Sequence, residues 1–331
     1  MRKYPFSWKT SILIAAISRI FVLFLCLSFD LTIPDHTATD VFHFRITTRT
    51  VNLERFLSTF SKWDSAHFLN IADLGYSDEQ SLAFYPFFPM LVRSAAMSVE
   101  WLIPFERHSM MIIFAVIISN MSFILSSIVF SLIAKDMRIS IAVQTVAFLS
   151  HVFSPASIFF SVPYTESTFA AFSWLGIWLM DNHPGYEHLA ALPFFLASLL
   201  RSNGSINAVF VIASCVAKFS VFVQFAPTEK SSRAILRLVA STAVNLIAIS
   251  HPHFYWNIYG KQIICLKFSD DFCPIMQSDS NCGLEVLCSD NNRNILSFKT
   301  AYSYVQEKYW NVGFLRYYQL KQIVSCDASL K

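Results

Sequence analysis

The residues best suited to chemistry lie in the stretch Trp63-Asp64-Ser-Ala-His67. An apolar stripe at helical spacing precedes it, formed by Leu53, Phe56, Leu57 and Phe60. Continued as one helix, the stripe predicts apolar residues near positions 64 and 67, where Asp64 and His67 instead share a face. A carboxylate on a buried face is costly unless it is paired or used. The pattern leaves two interpretations open: Asp64 is catalytic, or it pairs with His67 or caps a helix.

Two further charged residues lie at the ends of apolar runs. Glu166 follows Pro163-Tyr164-Thr at a predicted helix start, where a solvated carboxylate, or one that complements the helix dipole, is ordinary. Arg201 follows the apolar run 189–200, where an arginine either extends to the interface or holds a phosphate as a bidentate fork. The pattern alone favours the structural role for both residues.

Arg19 and Lys218 lie inside apolar runs, where charges are functional candidates by default. The structural alternatives are a pairing role for Arg19 and a helix end at Lys218. His251-Pro-His253 lacks the i, i+4 spacing of a helical metal pair, so interfacial histidines are the favoured interpretation. The chain contains no D-x-D, H-E-x-x-H, G-x-S-x-G or G-x-G-x-x-G motif, and we predict no metal site.

The composition indicates which elements must position these residues. Charged residues make up 14% of the 331 residues, against about 25% in an average soluble protein. The apolar set reaches 54%, with 33 Phe and only 7 Gly, and the mean hydropathy is +0.47. This excludes a soluble enzyme with glycine-rich phosphate loops, and it excludes disorder. The net charge of +3 gives no case for nucleic acid, and we predict an all-α polytopic membrane protein.

Apolar runs divide the chain into predicted spans within a single multi-pass membrane domain, 1–331. The predicted spans are 11–29, 110–134, 141–160, 168–180, 189–200, 205–226 and 234–258. Whether the two short runs at 168–180 and 189–200 cross the membrane stays open. The run 83–103 is interpreted as re-entrant or interfacial, because it contains Pro86, Pro89 and Arg93.

Basic residues predict the orientation of these spans. Arg2, Lys3 and Lys9 precede the first span, which we interpret as an uncleaved anchor with a cytoplasmic N-terminus. The basic loops near 135–138 and 230–233 then also lie in the cytoplasm, and the loops 30–109 and 259–331 are lumenal. Five of the seven cysteines lie in the last loop, at positions 265, 273, 282, 288 and 326. They lack a C-x-x-C pair, which favours disulfides over zinc.

Three stretches together carry a resemblance to a known family. They are Trp63-Asp64 through Gly75-Tyr76 to Ala83-Phe-Tyr-Pro-Phe-Phe-Pro89, then 153–166, then the Tyr- and Trp-rich segment 302–322. Arg201-Ser-Asn-Gly204 and Ile33-Pro-Asp35-His36 add to them. The chain resembles the PIG-V family of mannosyltransferases, which add the second mannose in GPI-anchor assembly.

The resemblance implies a GT-C-type enzyme of the endoplasmic reticulum membrane with a lumenal active site. The donor would be dolichyl-phosphate mannose, and the acceptor the mannosyl-glucosaminyl-phosphatidylinositol precursor. Asp64 and His67 are expected to be catalytic, and Trp63, Glu166 and Arg201 to bind substrate. We expect no metal and no cofactor besides the donor lipid, and a small accessory membrane subunit is compatible with the family.

The length of the chain limits what the resemblance implies. In the family the chain continues past the Tyr- and Trp-rich segment into further spans, so we expect a C-terminally truncated member whose own activity is open. The alternative functions are another dolichyl-phosphate-sugar transferase and a non-catalytic lipid-binding or transport protein. A transporter predicts broken helices in two related halves, and the chain contains no second copy of its short pair.

Overall fold

The structure is a computed structural model that describes residues 7–33, 56–102, 106–137, 139–225, 229–267 and 300–313. The chain divides into two compact units, one of Met1–Gly75 with Tyr85–His253 and one of Tyr76–Phe84 with Phe254–Lys331. The described residues form helices and turns without strands. The assignment of 1–331 to a single membrane domain stays a prediction.

The first unit contains eight of the described helices and most of a ninth. They are α1 Trp8–Thr32, α2 Asp64–Leu74, α3 Phe87–Val99, α4 Arg107–Asp136, α5 Ile141–Val152, α6 Glu166–Asn182, α7 Ala191–Leu200, α8 Asn207–Phe225 and α9 Glu229–Lys267. Four described segments are long and apolar enough to cross a membrane: Trp8–Thr32, Arg107–Asp136, Ser202–Phe222 and Ser232–Leu266. These segments confirm the predicted all-α polytopic class.

Helix α1 illustrates why these segments suit a membrane. Ser7 caps it, since its hydroxyl accepts a hydrogen bond from the Thr10 N–H at 3.2 Å. Its outward side chains remain uncovered, with Ile20 68% and Phe24 63% exposed. So much uncovered apolar surface is unfavourable in water and matches contact with lipid.

Several other helices are too short to span. Helix α3 has 13 residues, about 20 Å, against a hydrocarbon core of about 30 Å. Helix α5 ends at Val152, and a 3₁₀ turn at Ser157–Phe160 follows, so the predicted span 141–160 is not one continuous helix. The physical reason is Pro155, which disfavours helical backbone in the residue before it.

Helices α6 to α9 share a core. Phe194 of α7 is fully buried among Ile177, Met180, Val211 and Ile249. The backbone of α6 approaches Phe194 so closely that a Cβ on Gly176 would stand 2.5 Å from the ring. A glycine at this position therefore sets the distance between α6 and α7.

Arg19 of α1 is 2% exposed and is held by oxygen atoms that accept its hydrogen bonds. Its guanidinium donates to the carbonyls of Val152 and Ser157 at 3.1 and 2.9 Å and to the Ser161 hydroxyl at 3.0 Å. It also lies 3.8 Å from the centre of the Phe123 ring. Arg19 therefore connects α1 to the end of α5 and to the 3₁₀ turn that follows, in agreement with the predicted pairing role.

The interpretation of Lys218 as a helix end is wrong. Lys218 lies inside α8, and its ammonium donates to the Met180 carbonyl at 2.7 Å and to Glu187 at 3.4 Å. The pairing neutralises a cation within an apolar helix, so the helix continues past it. In α9, His253 contacts the Tyr85 hydroxyl at 3.0 Å.

The second unit is built on the segment 76–84, the end of α9 and helix α10, Ala301–Trp310. Glu79 is buried and accepts hydrogen bonds from Lys308 and, at 2.7 Å, from the Tyr309 hydroxyl. The Trp256 indole donates to the Leu82 carbonyl at 3.1 Å. The described part of the Tyr- and Trp-rich segment is thus fixed by a buried carboxylate. Cys265 is disulfide-bonded, and the cysteines at 273, 282, 288 and 326 lie outside the described residues.

Candidate active site

The backbone turns sharply just before Asp64. Trp63 has φ +56° and ψ −136°, a conformation that side-chain-bearing residues rarely adopt, and α2 begins at the next residue. The continuous helix expected through 53–67 is therefore wrong, because the helix that contains 56–58 ends before this turn. Asp64 and His67 still lie three residues apart, now within α2.

Asp64 occupies the first turn of α2, where the helix dipole favours a negative charge. Its backbone N–H donates to the Tyr164 hydroxyl at 3.2 Å. The side chain is exposed to solvent and lines a concave part of the surface, where the surrounding protein partly desolvates its carboxylate. Surrounding protein therefore raises the pKa of Asp64, and the negative charge of Glu166 raises it further, while Arg201 opposes both.

Glu166 and Arg201, 35 residues apart in the chain, form an ion pair. Glu166 is the first residue of α6, as the sequence predicts, and Arg201 directly follows α7. The second carboxylate oxygen of Glu166 is buried and accepts no hydrogen bond within the described structure. Both charges act on Asp64, so three predicted site residues lie within one electrostatic neighbourhood.

His67 is 8% exposed and packs within α2 among residues that are almost all buried. Trp63, in contrast, is 73% exposed. The structure thus directs Trp63 and Asp64 toward solvent and His67 toward the interior. The proposed role of His67 in orienting Asp64 stays a prediction.

A cavity of about 740 Å³ opens beside Asp64. Its walls are mostly apolar and come from the end of α1 and from the segment before α6: Cys26, Phe29, Ile33, Ile158, Phe159 and Val162. Trp63, Asp64 and Tyr164 also line it. Glu166, Arg201 and His67 are absent from this described lining. A carboxylate at the side of an apolar cavity at a membrane helix end suits a ligand with a polar head and a lipid tail.

Two further charged residues line the cavity, and the sequence reasoning did not select them. Asp30, near the end of α1, pairs with Lys62 and accepts a hydrogen bond from Thr59 at 2.8 Å. Asp30 and Lys62 are both half-buried. The available signal was an acidic residue ending an apolar run and a lysine beside Trp63-Asp64, but their pairing joins positions 32 residues apart.

Tyr164 is the other residue that sequence reasoning left without a role. Burial raises the pKa of its hydroxyl, and the nearby charge of Asp64 raises it further. The hydroxyl therefore stays protonated and remains a hydrogen-bond donor beside Asp64. Within the described residues, no group of three His, Cys, Asp or Glu side chains could hold a metal ion.

Spanning helices and an acidic site in an apolar cavity define a polytopic membrane protein with a site suited to amphipathic ligands. The chain belongs to the mannosyltransferase (PIG-V) family, whose family model matches residues 9–326.

The chain is also similar to curated proteins over most of its length. The GPI alpha-1,6-mannosyltransferase 2 of Cricetulus griseus is 29% identical, covering 96% of this chain and 65% of that protein. The human protein of that name is 28% identical with the same coverage. The GPI mannosyltransferase 2 of Drosophila melanogaster is 29% identical, covering 94% of this chain and 70% of that protein. The chain thus spans about 65% of the length of its mammalian relatives, and no solved structure matches it.

Proposed function

We propose that this chain carries the site for transfer of a mannose, in α1,6 linkage, from dolichyl-phosphate mannose to the mannosyl-glucosaminyl-phosphatidylinositol precursor of GPI anchors. The names of its relatives support the reaction. The structural observation that carries the proposal is the Asp64 carboxylate beside an apolar cavity at the end of a membrane helix. Two lipid-linked substrates require a site at such a position.

The reaction is a single displacement at the anomeric carbon of the donor mannose. A hydroxyl oxygen of the acceptor forms the new bond to C1, and the bond between C1 and the phosphate oxygen breaks. The electron pair of that bond leaves with the phosphate, and the hydroxyl proton passes to Asp64. A β-linked donor then gives an α-linked product. Positive charge develops on the sugar in the transition state, which a carboxylate stabilises.

The local environment supports Asp64 as the base. A pKa raised above the ordinary aspartate value gives a stronger base, provided that the carboxylate remains ionised at the working pH. The exposed Trp63 indole offers an apolar face to the donor sugar. His67 acts behind Asp64, and Glu166 with Arg201 sets its charge. The proposal needs no metal or cofactor, and it locates the protein in the endoplasmic reticulum membrane with a lumenal site and room for an accessory subunit.

The test is complementation of cells that lack the second GPI mannosyltransferase, with surface GPI-anchored protein as the readout. The wild-type chain is expected to rescue and Asp64→Asn to fail, because the amide cannot accept the proton. Asp73→Asn is the matched control, since it makes the same change at the other end of α2, away from the described cavity lining. Comparable amounts of inserted protein must be verified for each form.

Rescue by Asp64→Asn would contradict Asp64 as the base. If the wild-type chain is inserted and does not rescue, this polypeptide does not suffice for the reaction. Rescue by the wild-type chain, but not by Asp64→Asn, in cells that lack a different dolichyl-phosphate-sugar transferase would point to another acceptor.

A further inference from the structure

The cavity presents an electrostatic problem for an anionic ligand. Asp30 and Asp64 both line it, so a phosphate that enters meets two carboxylates. Like charges in one cavity repel each other unless a cation lies between or beside them. Among the cavity-lining residues that the structure describes, Lys62 is the one cation.

The other cation near Asp64 is already engaged. Arg201 is paired with Glu166, and neither residue belongs to the described lining of the cavity. A phosphate inside the cavity would have to draw Arg201 away from a carboxylate that has a second, buried oxygen without a hydrogen bond. Removing the arginine from this pair would leave that carboxylate uncompensated, which is costly.

Lys62 is in a different position. It lines the cavity itself, and its side chain is as exposed as that of Arg201, 32% in each case, so the pair with Asp30 holds the ammonium where a ligand in the cavity can reach it. An ammonium has three donors and a flexible stem, so it can contact Asp30 and a phosphate at once. Asp30 also keeps the hydrogen bond from Thr59 at 2.8 Å if Lys62 turns toward a ligand.

The apolar walls indicate what accompanies the phosphate. Cys26, Phe29 and Ile33 line the cavity from the end of α1, and the outward face of α1 continues with uncovered side chains such as Phe24 and Phe21. A long hydrocarbon chain attached to a phosphate in the cavity can therefore leave along α1 into lipid. This arrangement fits a phosphate ester of one long apolar chain.

We infer that Lys62 binds the phosphate of the lipid-linked donor, with Asp30 holding the lysine in place, and that the lipid chain follows α1. The inference rests on the proposed function and assigns the phosphate to Lys62 instead of Arg201. In the displacement, the phosphodiester with one negative charge becomes a monoester that approaches two. The attraction of Lys62 therefore increases toward the transition state, which lowers the barrier as well as the dissociation constant.

The test measures binding of dolichyl phosphate, and separately of dolichol, to the full chain in nanodiscs. Lys62→Gln is expected to weaken dolichyl phosphate binding about tenfold or more, since it removes a charge-assisted hydrogen bond. Dolichol has no phosphate, so its binding should not change. Lys9→Gln is the matched control, because Lys9 is an exposed lysine at the opposite end of α1. Lys62→Arg keeps the charge and should retain most of the binding.

A second variant separates ligand binding from a purely structural ion pair. Asp30→Asn removes the competing negative charge but keeps a side-chain oxygen that can accept a hydrogen bond from Lys62, so dolichyl phosphate binding should be equal or tighter. If Lys62 and Asp30 only stabilise the fold, both variants will weaken dolichyl phosphate and dolichol alike. That result, or unchanged phosphate binding in Lys62→Gln, overturns the inference.

The binding measurement does not require turnover, so a chain that fails complementation can still confirm or overturn the role of Lys62. Phosphatidic acid and phosphatidylinositol serve as competitors of dolichyl phosphate. Weak competition by both supports a site for a single-chain lipid phosphate. Full displacement by either at equal concentration overturns assignment of the site to the donor lipid. Should the chain prove active, Lys62→Gln is expected to raise KM for the donor and to lower kcat, whereas Lys9→Gln changes neither.

Discussion

Arg19 and Asp64 are two ionisable residues of the same unit in opposite environments. Arg19 is almost inaccessible, and its guanidinium donates to carbonyls and hydroxyls. Asp64 is held at its backbone by Tyr164, while its carboxylate lies beside a cavity and under opposing charges. A buried charge whose terminal nitrogens are hydrogen-bonded stabilises structure, whereas a partly desolvated charge beside a cavity is available for a reaction.

The largest expected effect tests the structural side of this contrast. Arg19→Leu removes the donor of the Ser157 carbonyl and of the Ser161 hydroxyl, while the Val152 carbonyl keeps the Ser18 hydroxyl as a donor. Each lost hydrogen bond to a charged group costs about 1.5–3 kcal/mol. We expect a loss of at least about 3 kcal/mol in the free energy of unfolding, measured by thermal unfolding in detergent. Arg107→Leu is the control, because its pair with Glu100 is exposed and should contribute less than about 1 kcal/mol. Equal losses in both variants would contradict the contrast.

The next effect concerns the charges that act on Asp64. As a base, Asp64 works when ionised, so activity should fall as the pH drops through its pKa. Glu166→Gln removes a charge that raises this pKa and should move the acid limb of kcat/KM to lower pH. Arg201→Gln removes the opposing charge and should move the limb to higher pH. Shifts in the same direction would rule out this electrostatic role.

A smaller effect tests whether the negative charge of Asp64 destabilises the folded protein. The folded-state pKa of Asp64 is raised, so its contribution to stability is present below the unfolded pKa and is lost as the pH rises through the folded pKa. Asp64→Asn should therefore leave the protein at least as stable at pH 7, although it removes the proposed base. Thermal unfolding at pH 4 and pH 7 measures this, and a large loss at pH 7 would assign Asp64 a structural role.

The smallest effect is expected at Tyr164. Tyr164→Phe removes the hydroxyl that accepts the hydrogen bond from the Asp64 N–H and leaves the ring in place. A neutral hydrogen bond contributes about 1 kcal/mol, so kcat should fall about fivefold with little change in unfolding temperature. Loss of all transfer would instead assign the hydroxyl a direct part in the reaction.

Local rules predict the helical class from the sequence and select Asp64 as the candidate base. Apolar runs of sufficient length identify helices such as α1 and α4, because the length and composition of one run are enough to recognise a spanning helix. Asp64 was found from an apolar stripe, although the helix assumed for that stripe is interrupted at Trp63. The structure places Asp64 at an apolar cavity, and its catalytic role stays a prediction.

Local rules of this kind cannot predict the ion pairs and hydrogen bonds between distant parts of the chain. Lys62 meets Asp30 across 32 residues, and Arg201 meets Glu166 across 35. Arg19 finds its carbonyl partners more than 130 residues away. Periodicity gives the face on which a residue lies but not the element opposite that face, so the sequence suggests Arg201 for the phosphate and gives no reason to select Lys62.

The close approach of α6 to α7 restricts the order in which this chain can evolve. Phe194 is fully buried, so its ring cannot move aside for a Cβ on Gly176. Any side chain at position 176 becomes tolerable only after position 194 has first become smaller, and the first step alone opens a void in the core. The two positions are therefore expected to change together across descendants of this chain, as a coupled pair whose single substitutions are both selected against.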